Sequence, residues 1–546
     1  MNATTKIAAV DPITIEVIGS ALASITEEMG EALVRASYST NIKERRDCST
    51  ALFDARGQTL CQAEHIPMHL GSFLDFIPNI LKRYPLSDIH EGDVFMGNDP
   101  YEGGGTHLPD IVLAEPIFFE GEIVAWAMNT AHHADFADHG HDHIYQEGIR
   151  LPPVRLYKAR VFQEEVQAIF LLNCQVPHER VSDLRAQMAA NRLGVQRMRA
   201  LCEKYSGAVV RAAGDALQDY AERKMRAGIA AIPDGTYRAS DMFDAESWPD
   251  EIRISCAITV AGDSITLEFD SPPQVRSGFN MIWTALLATV YYAVKSVVDP
   301  TILPNAGLAR PITVKAEPGT LLHCESPAAV IARIMPCQRV VDVIMLAFSQ
   351  IIPERLTAAC NSTVASATFS GRRPDGSPWI YLETIGGGGG ARAAKDGLDG
   401  IQVHMTNTSN LPVEAMEIEY PLTLLSYELV DGSGGAGRQI GGMGLRRTYR
   451  AEAPCRIRIN MSRLNSAPWG LAGGKSGGRG SFSMNEGAPE LVGGIGAMRV
   501  GDIIDIITPG GGGYGDPGTR PPELVERDIA ERRFTPAMMR TVFNRG

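Results

Sequence analysis

The stretch that decides the fold is DIVLAEPIFFEGEIVAWAMNTAHH, residues 110–133. It contains two runs rich in Ile, Val, Phe and Trp, 110–119 and 122–131, and such runs are typical of β-strands. Glu120 and Gly121 separate the runs, and a glycine in a tight turn can take a positive φ. The pattern therefore predicts an antiparallel hairpin.

Histidines and carboxylates collect at the open end of this hairpin. A two-residue turn places residue 132 opposite residue 109, so His107 and Asp110 begin one strand where His132 ends its partner. Cross-strand and diagonal neighbours lie within about 5–8 Å, which lets long side chains share one ion. Pro116 can add a bulge that shifts the register by one residue. The pattern therefore leaves open whether His132 or His133 points inward.

This set of side chains points to a metal. Two imidazoles with one or two carboxylates suit zinc, manganese or iron(II). Few protein ligands leave a coordination position for water or substrate, as a catalytic ion requires. The alternative is a purely structural polar cluster, and we favour the metal. Asp47, beside Arg45 and Arg46, either belongs to a solvated helix end or reaches the ion, and its spacing does not decide.

Other candidates are weaker. Arg150, beside two prolines in a stiff loop, could hold an anionic substrate group, although a surface role fits equally well. His139, His141 and His143 are loop-borne, and we interpret them as solvated or accessory residues. Pro67 stands between His65 and His69 and breaks a helical face, so these two are interpreted as structural or cleft-lining.

The spacing of apolar residues predicts the fold class. Helices are expected over 12–37, 71–83, 282–299 and 338–351, with two more between 177 and 232 that join near 205–207. Further hairpins are expected over 48–61 and 252–269. This mixture predicts an α+β fold with mixed, largely antiparallel sheets, long helices and a glycine-rich, β-rich last third. We divide the chain into an N-terminal region carrying the metal site, a central α+β region and a glycine-rich region, at 1–232, 233–361 and 362–546.

Composition excludes several classes of function. Hydrophobic residues make up 44% of the 546 residues and charged residues 21%, as in an ordinary globular protein. The formal net charge of −13 argues against a nucleic-acid partner. The first ten residues do not resemble a signal peptide, no segment predicts a membrane span, and the nine cysteines are scattered singly. We therefore expect a cytoplasmic protein with reduced thiols.

The glycine-rich segments do not predict a nucleotide site. Residues 432–437 satisfy G-x-G-x-x-G, but the residues that follow do not begin a helix, which pyrophosphate binding would need. Gly474-Lys475-Ser476 resembles the end of a phosphate loop, but Trp469 stands where that loop needs glycine. No nucleotide-binding residue is predicted, so a reaction that uses ATP needs another chain to bind it.

Several segments resemble the hydantoinase B family. They include GNDPYEGGGTHLPD (97–110), AHHAD (131–135), QEGIRLPPVRLY (146–157) and HMTNTSNLPVEAMEIEYP (404–421). That family includes hydantoinase B subunits, the C-terminal half of 5-oxoprolinase, caprolactamase-like subunits and the metal-bearing subunits of acetone and acetophenone carboxylases. The resemblance covers nearly the whole chain. One departure is FADHGHDHIY (136–145), so the substrates of relatives cannot be assumed.

The resemblance implies a ligand set and a partner. The family's metal motif falls on His107, Asp110 and His132, with Asp47 as the fourth ligand. A partner of the hydantoinase A type is implied, an actin-like subunit that binds ATP with magnesium, so the assembly is a hetero-oligomer.

Three functions follow as hypotheses. The first is hydrolysis of a cyclic amide such as a hydantoin, oxoproline or a lactam. The partner phosphorylates the amide, a water activated by the ion attacks, and His133 or Asp135 acts as general base. The second is carboxylation of a ketone with bicarbonate, which needs the same ion and partner. The third is a non-catalytic scaffold that binds metal.

Overall fold

The computed structural model describes residues 10–63, 65–134, 141–245 and 248–543. Within them the chain forms one seven-stranded sheet and three four-stranded sheets, with helices packed between and against them. Nearly all neighbouring strands are antiparallel, and β10–β11 (Ser264–Asp270 with Ile312–Ala316) is a parallel pair. The predicted α+β class with largely antiparallel sheets is confirmed. The predicted division into three regions stays a prediction.

The elements have the following bounds. The α-helices are α1 (Pro12–Ala36), α2 (Thr40–Lys43), α3 (His69–Phe73), α4 (Phe76–Arg83), α5 (Glu164–Leu172), α6 (Pro177–Tyr205), α7 (Gly207–Ala230), α8 (Trp283–Val298), α9 (Ile334–Phe348), α10 (Val413–Glu419), α11 (Pro522–Ala530) and α12 (Pro536–Phe543). The strands are β1 (Cys48–Asp54), β2 (Thr59–Gln62), β3 (Val94–Gly97), β4 (Asp110–Phe119), β5 (Glu122–His132), β6 (Val154–Lys158), β7 (Val161–Phe162), β8 (Gly235–Ala245), β9 (Trp248–Ala261), β10 (Ser264–Asp270), β11 (Ile312–Ala316), β12 (Ala365–Arg372), β13 (Pro378–Ile385), β14 (Leu422–Leu429), β15 (Leu445–Ala451), β16 (Cys455–Asn460), β17 (Ser481–Met484), β18 (Ile495–Met498) and β19 (Ile503–Ile507).

The seven-stranded sheet has the order β2-β1-β5-β4-β3-β6-β7, so the predicted hairpin β4–β5 lies inside it. Successive side chains of a strand point to opposite faces. On β5, Trp126 and Met128 pack towards α3 and α4, whereas Ala125 and Ala127 pack towards α1, α6 and α7. Both faces are covered, so the strand ends are enclosed on either side.

Helix α1 shows why the long helices form where the spacing predicts. The Asp11 carboxylate accepts from the backbone N–H groups of Ile13 and Thr14, and Pro12 occupies the first helical position. Its buried residues recur every three or four positions and face the sheet and α6: Ile18, Leu22, Ile25, Met29 and Leu33. The helix predicted over 12–37 is confirmed.

The single helix predicted over 71–83 was wrong, since the chain forms α3 and α4 there. Pro78 has no N–H to donate to the carbonyl four residues earlier. A continuous helix would leave the carbonyl of residue 74 unpaired. The helix is therefore interrupted at Asp75, and α4 begins after it with Pro78 in its first turn. The two helices predicted between 177 and 232 are α6 and α7, and Ser206, with a φ of 72°, joins them.

A second sheet, β11-β10-β9-β8, packs on α8 and α9 in the middle of the chain. Apolar residues fill the space between them, and the predicted hairpin over 252–269 lies within β9 and β10. In the part of the chain that the structure describes, no helix combines the length and apolarity that crossing a membrane requires.

The last two sheets pack on each other, and glycine-rich segments run beside them with backbone against backbone. A Cβ added to Gly390 would lie 1.8 Å from the carbonyl oxygen of Ala358, and one added to Gly388 would lie 2.0 Å from that of Gly442. Gly435, inside the G-x-G-x-x-G segment, donates its N–H to the Gly511 carbonyl at 2.8 Å. These glycines permit close backbone crossings.

Candidate metal centre

Three adjacent strands bring the predicted ligands into one row. Asp110 pairs directly with His132 across β4 and β5, and the N–H of His132 donates to the Asp47 carbonyl at 3.0 Å where β1 begins. The alternation along the strands places the side chains of Asp110 and His132 on the face that Trp126 and Met128 occupy. The row therefore lies on the α3 side of the sheet.

The donor atoms of three residues converge. His107 Nε2 lies 2.9 Å from Asp110 Oδ1 and 3.2 Å from His132 Nδ1, which is itself 3.3 Å from Asp110 Oδ1. All three side chains are buried, and their donor atoms lie within 4.8 Å of one another. Two imidazole nitrogens at such a distance repel if both present lone pairs, and a bound cation removes that conflict. The donor set fits a divalent ion.

Residues from a distant part of the chain orient two of these ligands. The carbonyl of Ile331 lies 3.1 Å from His107 Nδ1 and can accept its proton, which leaves the Nε2 lone pair facing the cluster. The Arg333 guanidinium donates to Asp110 Oδ2 at 3.1 Å, so Oδ1 remains on the side of the histidines. Neither contact was predicted, because the two partners lie more than 200 positions apart in the chain.

His69 and Asp47 complete this side of the cluster. His69 Nε2 lies 3.7 Å from Asp47 Oδ1 and 3.8 Å from Asp110 Oδ1. Its Nδ1 contacts the Ser49 hydroxyl at 2.9 Å. Pro67 does precede the helix, as expected, but α3 begins at His69 and carries it to the cluster. His69 lines the cavity, in line with the cleft-lining alternative, but its approach to the cluster was not predicted because it comes from a separate helix.

Burial sets the protonation of the cluster. Burial and then the Arg333 charge lower the pKa of His107 to about 4. Burial alone would raise the pKa of Asp110, but His107 and His132 hold it well below its usual range. Burial also lowers the pKa of His69. At neutral pH Asp110 is thus a carboxylate and His107 and His69 are neutral imidazoles, the forms that bind metal.

The cluster forms one wall of a cavity of about 110 Å³. The other walls are mostly apolar, with several hydroxyl groups between the apolar side chains. The apolar lining includes Ile66, Met68, Ile331, Ile334, Met335, Val364 and Leu382, and the hydroxyl groups belong to Ser366, Thr368, Thr384, Thr406 and Thr408. The cavity therefore suits a small molecule with an apolar body and a few polar atoms.

Two predicted site residues lie away from this cavity. His133 points to the opposite face of the sheet, where its Nε2 lies 3.2 Å from Gln187 Oε1 on α6 and its ring packs against Phe170. Arg150 pairs with Asp99 at 2.8 Å and does not line the cavity. Their predicted roles as general base and substrate anchor stay predictions, and their described contacts do not support them.

Two histidines of the histidine-rich loop, His141 and His143, make different contacts. His141 lines the cavity beside Arg458, with which it is in close contact. His143 packs against the ring of Tyr145 instead. Asp135, the other predicted general base, and His139 lie outside the described residues. The His141 position was not singled out by sequence because a loop has no periodicity that fixes where a side chain points.

Comparison with known proteins agrees with the family resemblance of the sequence. A family model described as hydantoinase B/oxoprolinase matches residues 11–517. The chain is 34% identical over 566 residues to the B subunit of a putative D-/L-hydantoinase from a Pseudomonas species, covering 97% of this chain and 94% of that protein.

Solved structures show the same architecture. The ATP-dependent caprolactamase from Pseudomonas jessenii superposes with a TM-score of 0.90 at 27% identity, covering 98% of this chain and 96% of that one. A nucleotide-free acetone carboxylase, a protein of ATP-dependent acetone carboxylation, superposes with a TM-score of 0.87 at 18% identity. That match covers 97% of this chain and 79% of the other, and it supports the fold alone.

Proposed function

The chain belongs to the hydantoinase B/oxoprolinase family, and from this premise we propose that it is the metal-binding subunit of an ATP-dependent cyclic-amide hydrolase. Its partner in this proposal is an ATP-binding subunit of the hydantoinase A type, which phosphorylates the amide oxygen of a hydantoin, oxoproline or a lactam. The observation that carries the proposal is the convergence of His107, Asp110 and His132 on the wall of a small apolar cavity.

We assign the metal to four side chains. His107, Asp110 and His132 would hold it, and Asp47, which lines the same cavity with its Oδ1 3.7 Å from His69 Nε2, would add the fourth ligand. Zinc, manganese and iron(II) all suit this donor set. An ion of this kind, when bound, acts as a Lewis acid and lowers the pKa of water towards ~7.

The chain's own residues supply the remaining chemistry. His69 Nε2 faces the cluster, and a Ser49 hydroxyl that accepts from Nδ1–H leaves Nε2 free to take a proton. We therefore assign the general base to His69 in place of His133. Arg333 holds Asp110 in place, and the apolar walls limit bulk water around the activated amide.

The cavity is consistent with a ring substrate. Cyclic amides are small, with a mostly apolar ring edge and a few polar atoms, and the cavity offers apolar walls with scattered hydroxyl groups. Carboxylation of a ketone would need the same ion and partner, and no contact that the structure describes in the cavity singles out bicarbonate. The products of the reaction therefore separate hydrolysis from carboxylation.

The test is metal analysis and turnover of the chain reconstituted with its ATP-binding partner. We expect stoichiometric metal in the wild-type protein. In His107→Ala and His132→Ala we expect loss of the metal and a fall in cyclic-amide turnover of more than about 100-fold. Removal of the metal from wild type by a chelator should have the same effect, and adding it back should restore turnover.

His90→Ala is the matched control, since His90 is exposed and does not line the cavity. It should keep both metal and turnover. Turnover that survives loss of the metal would support the scaffold hypothesis instead. A product that contains carbon from labelled bicarbonate would support the carboxylase.

A further inference from the structure

Glu147 is a buried glutamate outside the metal cluster that the proposed reaction does not use. Its exposed fraction is 0%, and burial raises the pKa of its carboxyl to about 8. Oε1 accepts from the backbone N–H groups of Val330 and Ile331 at 2.8 and 2.7 Å. Oε2 is buried with no hydrogen-bond partner among the described residues. A buried carboxyl costs stability, so its position calls for a specific role.

The segment that Glu147 holds is the one that orients the cluster. The Ile331 carbonyl contacts His107 Nδ1, and two residues later Arg333 donates to Asp110 Oδ2 and to the Thr106 hydroxyl. Within residues 330–333, Ile331 and Arg333 therefore contact two of the proposed ligands, His107 and Asp110. A shift of this segment would move both contacts together.

The orientation of the Ile331 carbonyl depends on the N–H groups on either side of it. The Ile331 N–H donates to Glu147, and the Ala332 N–H donates to the Gly278 carbonyl at 2.8 Å. With both N–H groups fixed, the carbonyl between them points at His107. Of these two hydrogen bonds, the one to Glu147 is to a side chain, and the one to Gly278 is between backbone groups.

We propose that Glu147 is a positioning residue for the metal centre: its carboxyl fixes the Ile331 carbonyl, which in turn fixes the His107 tautomer that presents Nε2 to the metal. This inference rests on the proposed function, because it assumes that His107 binds the ion. It assigns a role in the metal site to QEGIRLPPVRLY (146–157), and that role passes through Glu147 rather than Arg150.

Three substitutions separate the possible roles. Glu147→Gln keeps the length of the side chain and an oxygen that accepts both N–H groups, so it should behave as wild type. Glu147→Asp shortens the side chain by one methylene, and Glu147→Ala removes the acceptor. Glu115→Ala is the matched control, because Glu115 is also a buried glutamate with a raised pKa but lies on β4, away from residues 330–333.

The experiment uses the full chain and cobalt(II) alone as the probe. The first measurement is amide hydrogen exchange at residues 328–334 without metal. The second is cobalt(II) affinity, followed by the visible absorption of the bound ion. We expect Glu147→Ala and Glu147→Asp to speed exchange at 330–331, weaken cobalt affinity by about 10–100-fold and alter the spectrum. Glu147→Gln should restore all three, and Glu115→Ala should leave the affinity and the spectrum unchanged.

The outcomes distinguish the inference from the function on which it rests. Unchanged exchange in Glu147→Ala would show that Glu147 is not the anchor. Faster exchange with full cobalt affinity would show that Glu147 holds residues 330–331 but does not affect metal binding. That result would overturn the positioning role while the metal site stands. Wild type that binds no cobalt would overturn the proposed function and, with it, the positioning role. If Glu147→Ala does not fold, Glu147→Asp against Glu147→Gln makes the same comparison.

Discussion

The chain contains two clusters of ionisable side chains, and they differ in their fitness to bind a metal. The first is the candidate metal centre. The second, here termed the arginine cluster, consists of Asp241, Asp244, Arg339, Asp342, His404 and Arg463. In it Arg463 Nη2 lies 2.6 Å from Asp342 Oδ2 and 3.1 Å from Asp241 Oδ2, and Arg339 lies 3.6 Å from Asp241 and 3.9 Å from Asp244. His404 Nε2 lies 3.4 Å from Asp342 Oδ1.

The two clusters differ in what neutralises their carboxylates. Guanidinium groups, which are always charged, face the aspartates of the arginine cluster. In the candidate metal centre Arg333 contacts one oxygen of Asp110, and burial lowers the pKa of the nearby His107 and His69 imidazoles, which keeps them neutral. The lone pairs of Asp110 Oδ1 and of the imidazoles therefore converge at a point that Arg333 does not contact. A buried histidine beside an aspartate therefore does not by itself mark a metal site, and the proposed site is set apart by three donor atoms that converge.

The largest effect that separates the clusters is expected from Asp342→Ala. Removing one partner of a buried ion pair costs about 3–5 kcal/mol, and we expect the lower end because Asp241 still contacts Arg463. Metal content should stay unchanged. Urea unfolding and metal analysis of the same preparation measure both quantities.

The control for Asp342→Ala is Asp263→Ala. Asp263 is 56% exposed in its pair with Arg226, so its loss should cost less than about 1 kcal/mol. If Asp342→Ala folds but loses the metal, the separation of the two clusters is wrong.

A smaller effect is expected from pH, with opposite signs in the two clusters. The pKa of His107 falls from about 6.5 in the unfolded chain to about 4 in the fold, so the metal-free protein loses stability as the pH falls between these values. Burial would lower the pKa of His404, but Cys360 and Asp342 hold it well above the usual range. Its stabilisation is complete below about pH 6.5 and is lost as the pH rises through the folded pKa.

Unfolding of the metal-free protein across pH, with His107→Gln and His404→Gln, measures these slopes. One histidine can contribute at most about 1.4 kcal/mol per pH unit. His107→Gln should lose less stability than wild type on acidification, and His404→Gln should lose less on raising the pH. Slopes of the same sign would contradict the comparison.

The smallest effect on catalysis is expected from Arg150→Ala. Arg150 pairs with Asp99 and stands outside the cavity, so KM for a cyclic amide should change by less than about 2-fold. Steady-state kinetics with the ATP-binding partner tests this. If KM instead rises by about 10-fold, Arg150 is restored as the substrate anchor.

Local patterns in the sequence predicted the hairpin and the long helices, but not the break between α3 and α4. Alternating apolar residues and the Glu120-Gly121 turn predicted β4 and β5, and the same hairpin places Asp110 opposite His132. The predicted pairing of residue 132 with residue 109 was wrong by one position. A bulge at Val124 of β5, across from Ile117 and Phe118 and near Pro116, shifts the register by one residue.

The choice between His132 and His133 followed from the sheet. Once the register is known, alternation places His132 on the face of α3 and His133 on the face of α6. No pattern within the hairpin identifies which face carries the cavity, because α3, α6 and the segment around Ile331 are remote in sequence. Arg333 and Glu147 were missed for the same reason, and His69 was interpreted only as a structural or cleft-lining residue.

The long separation between His107 and the carbonyl that orients it has a consequence for biosynthesis. The two residues are 224 positions apart. At a translation rate of about 5–20 residues per second, Ile331 is made roughly 10–45 seconds after His107. From the synthesis of His132, 25 positions after His107, the nascent chain contains all the proposed ligands but not the carbonyl that orients His107. The proposed metal site can thus be completed only late, long after the ribosome has finished the strands that carry its residues.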